Sequence, residues 1–292
     1  MPNEPVRQHW VPKVYLRGFC AQPTEREQIH VRDTNAGLSF LASIDRIAVK
    51  NHFYTLAPSS GARSYAVEEA FSRIESDVGP VLAALKKSQE LPADQEALSI
   101  LAKFVATLHM RTRQGLQIIH GHREEVRAGI APEQSDPIEP FASELLDFDD
   151  EEMRELFAKS AIVVGTRIAK HLAAMNWRLL CSTESYFITS ENPVYSYHPT
   201  EQRWGLGTAG AFTLFPVSPS LLLLLSNEVV IPGEGTYELS PVGVRGLNGL
   251  TLLSAEQFVF SHLPFDGLAD LLVERETGQR SAFGPGNESS RA

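Results

Sequence analysis

The sequence predicts an α+β protein, because strand patterns occur near both ends of the chain and long helical patterns fill the middle. We expect a mixed or antiparallel sheet built from both chain ends and packed against the central helical block. Residues 1–273 are predicted to form a single α+β domain. Residues 274–292 lack hydrophobic periodicity and are predicted to form a disordered C-terminal tail.

The first third of the chain favours strands. Residues 28–33 (QIHVRD) alternate apolar and polar side chains, and residues 51–56 (NHFYTL) are rich in aromatic and β-branched side chains. Residues 34–39 (TNAGLS) lie between these candidate strands and indicate a turn.

The middle of the chain favours three helices. Apolar residues at 67, 71, 74, 78, 82 and 85 follow a helical rhythm, in which Pro80 is expected to kink or restart the helix. A second helix is predicted over 94–118. A third is predicted over 150–176, because its acidic first turn opposes the positive end of the helix dipole.

The last third returns to strands. Residues 177–190 are predicted to form a hairpin, and residues 211–226 one or two buried strands. Ser240 and Pro241 predict the start of a short helix, and residues 257–262 (QFVFSH) predict a closing strand. We expect strands from 28–56 and from 177–226 to pair in one sheet, with the helices of 67–118 beside it.

Composition excludes several classes of protein. A formal net charge of −10 disfavours sequence-independent coating of nucleic acid, although a small basic pocket remains compatible with it. Cys20 and Cys181 are far apart in the sequence and are predicted to be reduced. Neither a signal peptide nor a membrane span is predicted, since the apolar run at 221–225 is only five residues long. The predicted location is therefore the cytoplasm.

Several motifs of phosphate, metal and hydrolase chemistry are missing from the sequence. The chain has no GxxxxGK[ST] phosphate loop, no HExxH and no GxSxG. His120 and His122 lie two residues apart without a carboxylate at ligand spacing. We therefore predict neither a cofactor nor a metal.

Several stretches resemble the family catalogued as domain of unknown function 4238. They run in the family's order from about residue 8 to 261: QHWVPKVYLRGF, VEEAFSRIES, FVATLHMRT, WRLL, YFITSENPV, LFPVSPSLLLLL and GLNGLTLLSAEQFVFS. The family usually has aspartate in its Thr-Ser-Asp-x-Pro element, where this chain has Glu191. The resemblance implies positions to weigh and no established activity.

The opening stretch, residues 7–19, permits two interpretations. Pro12 suits the first turn of a short helix whose aromatic side chains anchor in a core, and His9 would then be bonded locally. Alternatively, His9 is a general acid or base and Arg17 a planar two-pronged clamp for an anion.

Arg111 extends an apolar helical stripe and should therefore be paired. Glu68 and Glu75 lie seven residues apart, on one face of the preceding helix. We predict that Arg111 is mostly buried and forms a salt bridge with one of these glutamates. The pair either fixes the register of the helices or forms part of an anion site.

Residues 189–194 (TSENPV) follow a predicted strand and display polar groups at its end. They either form a turn that stops the strand or contribute Ser190, Glu191 and Asn192 to a site.

The leading hypothesis is a protein that binds an anionic, phosphate-bearing small molecule or nucleic acid and hydrolyses it without a metal. The proposed catalytic residues are His9, Glu75 and Glu191. The proposed ligand-binding residues are Arg17, Arg111, Ser190 and Asn192. The alternative is a non-catalytic binding or regulatory protein in which the same residues are structural.

Overall fold

The computed structural model describes residues 6–21, 26–56, 63–129, 146–200, 208–229, 231 and 235–277. Contacts group the chain into two compact units, each assembled from three separate stretches. The first unit comprises Met1–Val14, Asp45–Lys87 and Pro92–Ala174. The second comprises Tyr15–Ile44, Ser88–Leu91 and Met175–Ala292. A single domain over 1–273 stays a prediction.

Helices and strands alternate in blocks along the chain. The helices are α1 (Lys13–Leu16), α2 (Ala66–Ser88), α3 (Gln95–Met110), α4 (Arg113–Arg127), α5 (Asp150–Ala174), α6 (Pro241–Ser254) and α7 (Ala269–Thr277). The strands are β1 (Arg7–His9), β2 (Gln28–Asp33), β3 (Leu38–Ser43), β4 (Val49–Asn51), β5 (Asn176–Cys181), β6 (Thr189–Ser190), β7 (Tyr195–Tyr197), β8 (Phe212–Ser218), β9 (Leu221–Ser226), β10 (Tyr237–Glu238) and β11 (Phe258–Ser261). This arrangement confirms the α+β class and the central helical block.

The prediction that strands from 28–56 and from 177–226 pair in one sheet is confirmed only for β2, β3 and β6, because β5, β7, β8 and β9 form a separate sheet and β4 pairs with β1. In the second unit, the order β3-β2-β11-β6 places the early hairpin β2–β3 beside strands from the last third of the chain. The predicted turn joins β2 to β3, with Gly37 at a φ of 67°, where a residue without Cβ is favoured. A second sheet in the same unit has the order β10-β5-β9-β8-β7. The five leucines of 221–225 form its central strand, and all of them are buried.

The first unit contains the helical block and a small sheet of β1 and β4. Its core includes Trp10, Phe53, Tyr54, Phe71 and Phe157, whose rings contact one another edge to face or at a tilt. Helix α3 packs along α5, where Gly165 meets the backbone of Thr107. None of the helices in the described part of the chain is long and apolar enough to cross a membrane.

The helix predicted over 94–118 is wrong in its continuity. It is divided into α3 and α4 at Arg111 and Thr112, because the Thr112 hydroxyl accepts the amide of Gly115 and begins a new helix. A Cβ on Gly115 would lie 2.2 Å from the carbonyl oxygen of Met110, so only glycine permits this close succession. Helix α2, by contrast, runs through Pro80 without a second start.

Two strand predictions also need correction. The strand predicted over residues 51–56 is not formed. Strand β4 ends at Asn51, before the aromatic residues, because His52 adopts a φ of 52° and turns the chain. Phe53 and Tyr54 reach the core from this turn rather than from a strand. Residues 177–190 do not form a hairpin: β5 pairs with β9 and β10, whereas β6 pairs with β11 in the other sheet.

The segment between β5 and β6 explains the change of sheet. The amide of Phe187 donates to the carbonyl of Pro219, and the amide of Ile188 donates to Oδ1 of Asn248. These bonds satisfy the backbone without a strand pairing to β5. At the C-terminus, α7 occupies the first residues of the predicted tail, and residues 278–292 lie outside the described part of the chain.

Candidate functional site

Arg111 is the centre of the polar cluster in the first unit. Its side chain is 3% exposed, and Nη1 donates to Oε1 of Glu75 at 2.7 Å. Its second terminal nitrogen, Nη2, donates to the carbonyl oxygen of His9. The prediction that Arg111 is buried and forms a salt bridge with Glu68 or Glu75 is confirmed, and the partner is Glu75. Both ends of the guanidinium fork are thus occupied by groups of the protein itself.

Aromatic rings enclose the same guanidinium. Its Cζ lies 4.1 Å from the centre of the Phe71 ring and 5.5 Å from that of Tyr54. The Tyr54 hydroxyl donates to the carbonyl oxygen of Arg111, and burial raises the pKa of Tyr54. Arg111 therefore contacts the faces of two rings as well as its hydrogen-bond partners. The attraction between a cation and an aromatic ring is stronger where water is excluded.

Glu68 supplies a second carboxylate near Arg111. Burial raises the pKa of Glu68, the charge of Arg111 lowers it, and the charge of Glu75 raises it again, with a net upward shift. Within the described residues, Oε2 of Glu68 is buried and makes no hydrogen bond. Although burial alone would lower the pKa of Arg111, its carboxylate neighbours, chiefly Glu75, raise it, so the guanidinium stays charged.

His9 enters this cluster through its backbone. It ends β1 opposite Val49, and its carbonyl oxygen receives the Arg111 bond. A hydrogen bond from Lys13 is the largest cause of a lowered pKa of Asp45, to which the electrostatic interaction with His9 also contributes. The structure thus brings His9, Glu75 and Arg111 together in one unit.

Arg17 belongs to the second unit and lies in a single 3-10 turn directly after α1. Its Nε donates to Oε1 of Glu27 at 2.6 Å, and both side chains are about half exposed. The geometry is that of a surface ion pair, in which solvent screens the attraction.

Ser190, Glu191 and Asn192 form a buried turn in the second unit. The Ser190 hydroxyl donates a hydrogen bond to the carbonyl of Asn192 and accepts one from the amide of Asn192. These two bonds form the turn that ends β6. The hydroxyl of the preceding residue, Thr189, lies 2.6 Å from that of Tyr15. The polar groups that the sequence displays at this strand end are turned inward.

Glu191 fastens this turn to the start of β11. The residue is fully buried, and its Oε1 accepts the amides of Gln257 and, at 2.9 Å, of Phe258. The side-chain amide of Asn192 donates to the carbonyl of Ser254 at 2.9 Å, and so satisfies the last residue of α6. The three residues together connect a strand end, a helix end and a neighbouring strand.

A cleft in the second unit was not indicated by the sequence. Its volume is about 710 Å³, and it is lined by Asn176, Trp177, Arg178, Leu224, Ser226, Val229, Ile231, Thr236 and residues 88–91. Arg178 donates hydrogen bonds to the carbonyls of Ile231 and Gly235, so its guanidinium connects β5 to two other residues that line the cleft. The lining is drawn from distant segments, and none of them carries a motif from which the cleft could have been predicted. Among the described residues, no group of three or more His, Cys, Asp or Glu side chains could hold a metal ion.

Two histidines in the second unit predict an acid-sensitive stability. The ring centres of Tyr186 and His262 lie 5.0 Å apart. Burial lowers the pKa of His30, while burial and the charge of His30 lower that of His262. The unfolded chain therefore binds protons at a higher pH than the folded chain, so stability is lost as the pH falls through about 6.5.

The measurement is the melting temperature between about pH 8 and pH 5 for the parent and for His262→Gln. Removal of one of the two histidines is expected to flatten the decline over the range below about pH 6.5. Equal declines in the two proteins would contradict a contribution of His262 to acid sensitivity.

Comparison with known proteins identifies the family. The sequence profile of the family described as Protein of unknown function (DUF4238) matches residues 7–263 of this chain. No match is found among curated proteins or among solved structures. The matched region contains every residue of the predicted site and nearly all of the described fold. The chain belongs to the DUF4238 family.

Proposed function

We propose that this protein is a non-catalytic binding or regulatory protein in which the residues of the predicted site are structural. The observation that carries the proposal is the environment of Glu191. Its carboxylate is fully buried and holds two backbone amides at the start of β11. A general acid, base or nucleophile must come within hydrogen-bond reach of a substrate, and a carboxylate committed to the backbone is poorly placed to do so.

The environment of Arg111 supports the same proposal. A guanidinium binds a phosphate through its planar fork of donors, which must point to the ligand. Here the fork is committed to Glu75 and to the carbonyl of His9, inside an aromatic enclosure. A pair of this kind fixes two segments relative to each other and leaves its donors little freedom to bind an anion.

The alternative function is the binding, and metal-free hydrolysis, of a phosphate-bearing small molecule or nucleic acid. One observation favours it: Glu68 is a partly buried carboxylate with a raised pKa beside a buried arginine. Perturbed carboxylates of this kind are concentrated at functional sites, although structural ion pairs produce them as well. In this alternative His9, Glu75 and Glu191 are catalytic, and Arg17, Arg111, Ser190 and Asn192 bind the ligand.

Two variants distinguish the functions. Under our proposal, Arg17→Ala lowers the free energy of unfolding by less than about 1 kcal/mol, because an exposed ion pair contributes little. It also leaves unchanged any small molecule or nucleic acid that co-purifies with the protein, measured by mass spectrometry. His9→Ala retains the Arg111 bond, which uses the backbone carbonyl, and should behave in the same way toward ligands.

The direct assay is hydrolysis of bis(4-nitrophenyl) phosphate in the presence of a chelator. We expect the same background rate for the parent, His9→Ala and Arg17→Ala. A chelator-resistant activity of the parent that either variant abolishes, without loss of its melting transition, would overturn the non-catalytic proposal. Loss of a co-purifying phosphate compound in the Arg17 variant would overturn it as well.

A further inference from the structure

Strand β3 is an open edge of the four-stranded sheet in the second unit. It is the first strand in the order β3-β2-β11-β6, and within the described residues it pairs with β2 alone. Six residue pairs join β3 to β2 in continuous register, without a bulge. A strand in this position presents one row of backbone N–H and C=O groups away from its neighbour, which is a template for another strand.

Most of the exposed side chains on this strand are apolar, and Ser39 accepts a hydrogen bond from Arg32 of β2. Leu38, Phe40 and Leu41 are 62%, 45% and 45% exposed, and they lie within four consecutive residues. Proteins commonly guard such an edge with charged residues, proline or a bulge. No charged residue and no proline occurs between Thr34 and Ile44. The strand therefore has the features of one that pairs with a further chain.

We propose that β3 pairs antiparallel with β3 of a second copy of this chain, so that the two four-stranded sheets become one sheet of eight strands. The two-fold axis is perpendicular to the sheet and passes midway between the two Phe40 residues. In this register Phe40 lies opposite its counterpart, Leu38 lies opposite Ala42, and Ser39 lies opposite Leu41. Opposite residues in an antiparallel pair point to the same face, and each of these pairs meets that condition.

The lack of charge on this strand permits it to pair with its own copy. Two copies of a chain with a net charge of −10 repel each other, and this repulsion is weakest where they meet along an uncharged stretch. The stretch from Thr34 to Ile44 is uncharged. Self-pairing also places one exposed aromatic ring against another, and aromatic pairs across strands stabilise a sheet. A charged peptide from another protein would find no complementary charge on this strand.

The first test is the molecular mass in solution, measured by sedimentation equilibrium on the full chain. We expect a dimer at about 100 µM, and at least a tenfold weaker association in Phe40→Lys, because two lysines would face each other across the axis. Leu253→Lys is the matched control, since Leu253 is 74% exposed in the same unit but lies on α6. This control should remain a dimer.

The second test fixes the register with cysteines, in a chain in which Cys20 and Cys181 are replaced by serine. Phe40→Cys is expected to form an intermolecular disulfide on mild oxidation, because directly opposite Cβ atoms lie about 5 Å apart. Leu38→Cys should not, because its counterpart is displaced by four residues, or about 14 Å. Both cysteine variants keep the strand uncharged, so they test the proposed pairing even if Phe40→Lys does not fold.

A monomeric parent at about 100 µM would overturn the proposal, and so would a Phe40→Lys variant that dimerises as strongly as the parent. A disulfide in the Leu38 variant without one in the Phe40 variant would overturn the register. These outcomes are separate from those of the proposed function, because β3 contains none of the residues tested there.

Discussion

Replacement of Arg111 by alanine is expected to lower the free energy of unfolding by about 3–5 kcal/mol. The arginine is 3% exposed and forms an ion pair with Glu75, whose side chain is 27% exposed. Removal of the guanidinium leaves the carboxylates of Glu75 and Glu68 without their cationic neighbour and the carbonyl of His9 without its donor. The measurement is chemical denaturation of the parent and the variant, followed by circular dichroism.

A surface ion pair on α2, the helix that carries Glu75, provides the control. Arg73 and Glu69 approach to 3.8 Å on α2, with both side chains largely exposed. Arg73→Ala should therefore cost no more than about 1 kcal/mol. If Arg111→Ala costs as little as Arg73→Ala, the buried pair does not stabilise the fold, and the structural role proposed for Arg111 is wrong.

A double variant separates the lost charge from the lost packing. Arg111→Ala with Glu75→Ala removes the uncompensated carboxylate together with the arginine, so it should recover part of the loss of the single variant. The part that is not recovered measures the other contacts of Arg111, which are its bond to the carbonyl of His9 and its contacts with the rings of Tyr54 and Phe71. An additive double variant would mean that the two side chains do not interact.

Replacement of Glu191 by alanine is the second large effect, with an expected loss of about 2–4 kcal/mol. The carboxylate accepts the amides of Gln257 and Phe258 in a fully buried position. Alanine leaves both donors without an acceptor and opens a cavity beside β11. Hydrogen exchange at these two amides should accelerate more than at the ladder amides of β9, which are far from the substitution along the chain.

Conservative variants at the same position distinguish geometry from charge. Glu191→Gln keeps an acceptor oxygen at the same reach, so it should cost less than Glu191→Ala. Glu191→Asp keeps the carboxyl group but is one methylene shorter, so it cannot reach both amides without a backbone shift, and an intermediate loss is expected. A variant Glu191→Asp that is as stable as the parent would show that the turn adjusts to the shorter side chain.

The candidate site was predictable where one local pattern determined the outcome. Arg111 extends the apolar stripe of a helix, and a lone buried charge is costly, so a carboxylate neighbour was to be expected. The choice between Glu68 and Glu75 depended on which carboxylate reaches Nη1, and only the packed helices decide that. The bond from Arg111 to the carbonyl of His9 joins residues that are 102 positions apart, and no sequence pattern carries it.

The same distinction applies to the turn at 189–192. Proline and asparagine near a strand end predict a turn with polar side chains, and the structure has one. Whether those side chains face solvent or the interior depends on what covers them. Here Gln257, Phe258 and Ser254 approach from β11 and α6, and their backbone groups bond the buried side chains.

Local patterns in the sequence were sufficient to predict the α+β class, the long helices, the capped start of α6 and the strands that have a clear period of two. These features depend on interactions between residues a few positions apart, which a local pattern records. Only the packed structure shows that β5 and β6 belong to different sheets and that the motif side chains point inward. Those outcomes depend on which distant groups form hydrogen bonds or ion pairs with the buried backbone and the buried charges. These partners come together only when the helices and strands pack.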